Sequence, residues 1–363
     1  MRRHMILATA MSAVALMTIA GCSSRADAPD AKGAGGFAKD SLIGVSLPSK
    51  TSENWVLAGG LFEKGLKKAG FTGDVQYAGA SAPVKDQQDQ ISAMVTKGAK
   101  VIIIGPADGG QLGTQVKAAH DSGAIVIAYD RLILNTADVD YVVNYDPEKV
   151  GELQGQALLD GLDAKKKAGP QYIELFSGSP DDANAAVFFN SAMKVLKPRI
   201  DDGSIVVGSG QTAIKQTATT GWKAETAQSR MDTILTSTYA DKPLDGVLSP
   251  NDSLARAIIT SVKGAGKPIP VVTGLDSEAE SVKSIMAGEQ YATVNKDTRA
   301  LVTKAIGMAT SLAAGEKPEL NNTRLYDNGV KVVPAYLLVP VIVTKANAAK
   351  VYADDPLLAP LTK

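Results

Sequence analysis

Cysteine and histidine are almost missing from this chain of 363 residues: there is one cysteine, Cys22, and two histidines, His4 and His120. A single thiol excludes an intramolecular disulfide, and histidine–cysteine zinc clusters are impossible on these counts. A serine-hydrolase triad needs a histidine. His4 lies in the leader, and His120 closes a helix just before a strand, at the sheet edge opposite to that where ligands bind. No G-x-S-x-G elbow occurs, and no G-x-G-x-x-G follows a strand, which removes the usual marks of hydrolases and dinucleotide binders. Charge of one sign is also lacking. Lys plus Arg equals Asp plus Glu at 38 each, so nothing suggests a surface for nucleic acid or anionic lipid. Aromatic residues make up 5%, with Trp55 and Trp222 the sole tryptophans.

What the chain does have begins with a compartment signal. Arg2, Arg3 and His4 precede an apolar stretch over 5–20, too short and too rich in small residues for a durable membrane span. It closes on Ile19-Ala20-Gly21-Cys22, which resembles a bacterial lipobox in which cleavage leaves a diacylated Cys22. A secretory signal with a chance cysteine is the alternative, but a free thiol in an exported protein would be anomalous. Residues 23–40, rich in Ser, Ala, Asp and Gly, read as a flexible tether. The expectation is an extracytoplasmic protein, anchored by lipid at the cell surface or in the periplasm.

From residue 41 a βαβα rhythm sets in. Residues 124–132 read A-I-V-I-A-Y-D-R-L, in which an unbroken apolar run over 124–128 ends abruptly in Tyr129, Asp130 and Arg131. Such a run marks a strand buried on both faces of a parallel sheet. Further strands at 43–47, 101–104, 172–176 and 244–248 alternate with helical periodicity at 55–69, 84–98, 150–162, 185–196, 224–239, 254–262 and 298–314. Alternation of this kind implies parallel sheets with helices on both faces, here two in tandem.

Open α/β sheets bind ligands at the carboxyl ends of their strands. Those positions hold Lys50, Asn54 and Trp55, then Asp108, then Asp130 and Arg131. In the second series they hold Asp182 and Asn184, then Asn251, then Asp276, then Lys296. A wall of carboxylates, carboxamides and cations with tryptophans suits a neutral polyhydroxyl ligand, since each hydroxyl donates and accepts. Indole faces cover the C–H face of a pyranose. The bland readings are an ion pair closing a strand for Asp130 and Arg131, and helix N-caps for the Asp and Asn residues. They account poorly for Lys296 and the tryptophans.

The segments I-A-Y-D-R-L-I at 127–133, S-G-S-P-D-D-A-N at 177–184 and A-M-K-V-L-K-P-R-I at 192–200 resemble type I periplasmic sugar-binding proteins of ABC importers. So do S-V-K-S-I-M-A-G-E-Q-Y at 281–291 and N-G-V-K-V-V-P-A-Y-L-L at 328–338. The likeness is to the xylose-binding and ChvE-type multiple-monosaccharide receptors, in order over about 42–344.

The resemblance implies two doubly wound parallel-sheet lobes joined by a three-strand hinge, with a monosaccharide in the cleft. It places the first lobe at 41–145 plus 297–319 and the second at 146–296 plus 320–363, with crossings near 144–146, 295–297 and 321–327. It assigns Arg131 to the ring hydroxyls and Trp55 to the sugar face. From the second lobe come Asp182, Asn184, Asn251, Asp276 and Lys296, with Trp222 stacking. Asp108 and Asp130 are expected to orient Arg131 and its loop. The family usually has arginine where this chain has Asn54, so that contact is lost, made through water or taken over by Lys50. Leu275 stands where glutamine is common.

The implied protein is no enzyme and needs no cofactor or metal. It acts as a monomer that delivers an aldose of the xylose, glucose, galactose or arabinose type to an ABC permease. A sugar-sensing surface receptor, or a binder of a non-sugar polyol or autoinducer, would look the same in sequence.

Overall fold

The computed structural model describes residues 36–363 apart from positions 51 and 166. The expected signal peptide, Cys22 and most of the tether lie outside the described residues.

The first half runs β1 (Leu42–Leu47), α1 (Glu53–Ala69), β2 (Thr72–Tyr77), α2 (Pro83–Thr96), β3 (Val101–Ile104), α3 (Gly113–Asp121), β4 (Ile125–Tyr129) and β5 (Tyr141–Tyr145). The second runs α4 (Pro147–Ala164), β6 (Gln171–Leu175), α5 (Ala183–Asp201), β7 (Ile205–Val207), α6 (Ile214–Thr217), a 3₁₀ turn (Thr220–Trp222), α7 (Ala224–Ser237), β8 (Gly246–Leu248), α8 (Asp252–Gly264), β9 (Val271–Val272), α9 (Ala279–Ala287) and β10 (Ala292–Asn295). After α10 (Thr298–Ala313) come β11 (Ala335–Leu338), β12 (Val341–Thr344), α11 (Ala348–Val351) and a last 3₁₀ turn (Ala359–Thr362).

Two parallel sheets result. The first has strand order β11-β5-β4-β3-β1-β2 and the second β7-β6-β8-β9. Both reverse direction beside their first strand, between β1 and β3 and between β6 and β8. A crevice opens at such a switch point, outside the carboxyl ends of the strands. The apolar β3 follows from burial on both faces, every residue being buried; β5 is buried throughout as well, its Asn144 included. One face of the first sheet packs α1 and α10 through Phe62, Leu66, Leu301 and Ala305, and the other packs α2 and α3 through Ile91, Met94 and Val116. The second sheet is enclosed in the same way by α4 and α5 on one side and α7 and α8 on the other.

Polar residues start the helices that face the crevice. Asp146, Asp182, Asn251 and Asp297 each accept a backbone N–H of the first turn. That satisfies one of the orphan donors at a helix start.

One expected boundary is corrected. Residues 321–327 do not cross between lobes: Asn322 bridges Ala335, and Tyr326 is buried in the first-lobe core. The chain instead continues through β11, which pairs in parallel with β5 in the first sheet, and crosses at Val339 and Pro340 into β12, which pairs antiparallel with β10. Proline has no N–H for the ladder, so a strand breaks there and the next begins in another sheet. Part of 320–363 therefore belongs to the first lobe. β5 lies in the first sheet while α4 packs on the second, and β10 pairs with β12 while α10 packs on the first sheet.

Candidate ligand-binding cleft

A cleft enclosing about 140 Å³ of accessible space lies between the two sets of strand ends. Seating one water takes about 10–15 Å³, so the space suits a ligand of roughly a dozen heavy atoms. Asn54, Trp55, Asp130, Arg131, Asp182, Asn184, Trp222, Asn251, Asp276 and Lys296 all line it. Ten of the twelve residues proposed from sequence as ligand contacts thus converge from seven connections, six between a strand and a helix and one between β4 and β5.

Its centre is a set of ion pairs, two of which join the lobes. Arg131 Nε lies 3.0 Å from Asp182 Oδ2. Lys296 Nζ lies 2.8 Å from Asp130 Oδ1 and 3.4 Å from Asp276 Oδ1. Asn184 Nδ2 donates to the Asp130 carbonyl at 2.7 Å, and Asn144 Nδ2, at a crossing, donates to Asn184 Oδ1 at 3.2 Å. Burial pushes the Asp182 and Asp276 carboxyls above the ordinary range, opposed by Arg131 and Lys296 respectively. Lys296 is held firmly protonated: burial works against its charge, but Asp130 and Asp276 outweigh it.

The backbone here is bent into the left-handed region at non-glycine residues. Asp130 has φ 62°, Trp222 φ 54°, Asp276 φ 97° and Ser277 φ 56°. Conformations of this kind cost on the order of 1–3 kcal/mol each and persist where the surroundings over-determine them. Three of the four belong to proposed ligand residues, so the strain aims side chains into the cleft.

The tryptophans differ in role. Trp55 is 8% exposed and belongs to the first-lobe core, edge-on to Tyr129 with ring centroids 6.2 Å apart. The Arg131 guanidinium carbon sits 5.3 Å from its ring centre, so Trp55 backs the guanidinium. Trp222 lies against Gly178, where a Cβ would come within 2.1 Å of the indole.

Two residues are corrected. Asp108 does not line this cleft; its Oδ1 accepts the Gly110 N–H at 2.8 Å. Asp182 and the Pro106 carbonyl, 3.3 Å from Arg131 Nη1, orient the guanidinium in its place. Lys50 is drawn aside, its ammonium 4.4 Å from the Tyr77 ring centre. It lines a neighbouring cavity, leaving Asn54 to stand alone beside Thr298.

Sequence reasoning missed Phe188, which lines the cleft one turn after Asn184 on α5. The i, i+4 spacing was the available signal, since it puts both on one helix face. Asp181 and Thr298 line the cleft as well.

Residues 43–317 match the model of the periplasmic binding protein domain. The chain belongs to the periplasmic binding protein family. This binding protein is 48% identical over 324 residues to the multiple sugar-binding periplasmic receptor ChvE of Rhizobium radiobacter, covering 88% of this chain and 91% of the other. It is 36% identical over 321 residues to the D-xylose-binding periplasmic protein of Escherichia coli, with the same two coverages. An ABC transporter solute-binding protein from Clostridium phytofermentans, solved with β-D-glucose bound, superposes with a TM-score of 0.84 at 39% identity, covering 89% of this chain and all of that one. The fold is therefore the type I periplasmic binding protein fold, of the ChvE and xylose-receptor type. The family and these relatives are binding proteins rather than enzymes.

Proposed function

We propose that this protein captures an aldose monosaccharide between its lobes and delivers it to an ABC permease. One observation carries the reading: the cleft holds a buried donor and a buried acceptor with no hydrogen-bond partner among the described residues, Trp222 Nε1 and Asp276 Oδ1. Leaving such groups unpaired costs about 1–3 kcal/mol each. A hydroxyl donates and accepts, so a polyhydroxyl ligand answers both. The cations are already matched by carboxylates, so an uncharged ligand fits better than an ionised one.

In this reading Arg131, Asp182, Asn184, Asn251, Asp276 and Lys296 bond the hydroxyls, Asn54 reaches the rim, and Trp222 and Phe188 cover apolar faces. Asp130 holds Lys296 in place. The ligand touches both lobes together only when they are closed, so it shifts the population toward the closed form that the permease meets. The glucose- and xylose-type relatives support an aldose. Lipid anchoring through Cys22 is part of the proposal, supported by the leader sequence. No helix among the described residues is long and apolar enough to cross a membrane.

A thermal-shift screen of the mature protein against xylose, arabinose, glucose, galactose, fucose and ribose tests the reading. At about 100 times its Kd a ligand adds about 2.7 kcal/mol, so the melting midpoint rises for one or a few aldoses. No rise with any of them sinks it. For the anchor, Cys22→Ser should move the protein from the membrane fraction to the soluble one.

A further inference from the structure

A second cavity, of about 480 Å³, lies beside the first. The two share Ser52, Asn54, Asp276, Lys296 and Thr298, which form the boundary between them. The walls of the second also come from both lobes: Glu53 and Val56 of α1 on one side, Glu278, Ala279 and the tail residue Leu357 on the other. The lobes are tied there too, by the Ala279 N–H donating to Glu53 Oε2 at 2.8 Å.

The lining has the two features that mark a hydroxylated ring site. Glu278 is 2% exposed; its Oε2 accepts from Arg256 Nη2 at 2.6 Å, but its Oε1 has no hydrogen-bond partner among the described residues. Asp276 Oδ1 at the boundary also makes no hydrogen bond, although the Lys296 ammonium lies 3.4 Å from it. Burial pushes the Glu278 carboxyl upward despite Arg256, which a hydroxyl donor would relieve. Apolar surface lines the same space: Val56 and Leu357 are 48% and 59% exposed.

We propose that the second cavity is a subsite for a second hydroxylated ring, so that the cleft accepts a disaccharide or glycoside whose first ring sits at Trp222 and Asp276. The second ring gives its hydroxyls to Glu278 and lays its C–H faces on Val56 and Leu357. Asn54 and Thr298, joined at the boundary by a hydrogen bond of 3.5 Å, must part for a linked sugar to span both cavities. This inference rests on the sugar-capture reading and extends it from monosaccharides to linked sugars.

Titration calorimetry on the mature protein decides it, with glucose and xylose beside maltose, cellobiose, lactose, xylobiose and phenyl glucosides. At least one linked sugar should bind as tightly as its parent monosaccharide or better. In Val56→Trp, whose indole would occupy the second cavity, that sugar should weaken by about tenfold or more while the monosaccharide stays within about twofold. Leu357→Trp, from the opposite wall, should do the same, which guards against a folding defect in either variant. If monosaccharides bind and every linked sugar is refused, or if both variants leave a linked sugar unaffected, the subsite is wrong and sugar capture stands. Failure of every saccharide overturns the capture reading, and this inference with it.

Discussion

Asp276 combines a left-handed backbone, a buried carboxylate oxygen without a hydrogen bond and an ammonium 3.4 Å away. Asp276→Asn keeps the size of the side chain but removes the charge that faces Lys296. Hydrogen bonds to charged groups contribute about 1.5–3 kcal/mol, so the sugar's Kd should rise by one to two powers of ten, read by calorimetry. Arg131→Ala should cost at least as much, because it strands Asp182 as well as the ligand; micromolar binding surviving in both variants would refute the assignment. A residue away from the ligand matters in a different way. Tyr352 donates to Ser277 Oγ at 2.7 Å and so holds the bend next to Asp276. Tyr352→Phe should lower the denaturant midpoint by an amount equivalent to about 1 kcal/mol and weaken sugar binding while the cleft's own side chains stay intact. An unchanged affinity would show that the bend does not depend on the C-terminal segment.

The working unit at the next scale is a strand end, a short loop and a helix start. On α5 the cap Asp182 bonds the Asn184 N–H at 2.9 Å and Arg131 at 3.0 Å, so one carboxylate both starts the helix and joins the lobes. The loop before it is shaped by Gly178, whose missing side chain admits the Trp222 ring. Gly178→Ala puts a methyl group 2.1 Å from an indole carbon, so the ring must move. Overpacking of this kind costs about 1–3 kcal/mol. The expected result is a changed tryptophan emission spectrum and a weakened sugar affinity with the fold retained; an unaltered Kd would remove Trp222 from the ligand's contacts.

For the whole molecule the question is closure. Arg131–Asp182, Lys296–Asp130, Asn184 to the Asp130 carbonyl, Gly109 N–H to the Asp181 carbonyl at 3.3 Å and Ala279 to Glu53 all bridge the lobes. Asp130→Asn weakens one tie, so the sugar-free protein should be more open. Small-angle scattering should then give a larger radius of gyration than wild type without sugar, and the same radius with it. Proton linkage acts on the same equilibrium. Burial raises the Asp182, Asp252, Asp276 and Glu278 carboxyls in the folded protein. A raised folded value means that these groups stabilise the fold fully below their ordinary pKa, and that this contribution is lost as pH rises through the raised values. Hydroxyl donors favour the ionised forms, so binding competes with protonation. The melting shift given by a saturating sugar should shrink as pH falls from neutral into the acid range. A shift constant with pH would mean that Asp182 and Asp276 do not meet the ligand.

Much of this was written in the chain. Apolar runs over the parallel strands fixed the fold class, because strands buried on both faces tolerate little else. Polar residues after those runs marked the wall of the cleft, because strand carboxyl ends point one way in a parallel sheet. Sequence spacing did not reveal that β11 joins the first sheet and that Pro340 marks the third crossing, since a short apolar strand fits either sheet equally well. Nor did it show that Asp108 bonds its own loop and that Lys50 turns to Tyr77, because local partners capture a side chain only once the loop has its shape. The unpaired oxygens of Asp276 and Glu278 and the second compartment between α1 and the C-terminal tail are facts of tertiary structure alone. They arise where segments more than two hundred residues apart in the chain are packed face to face, and no local pattern records which polar atoms that packing leaves without a partner.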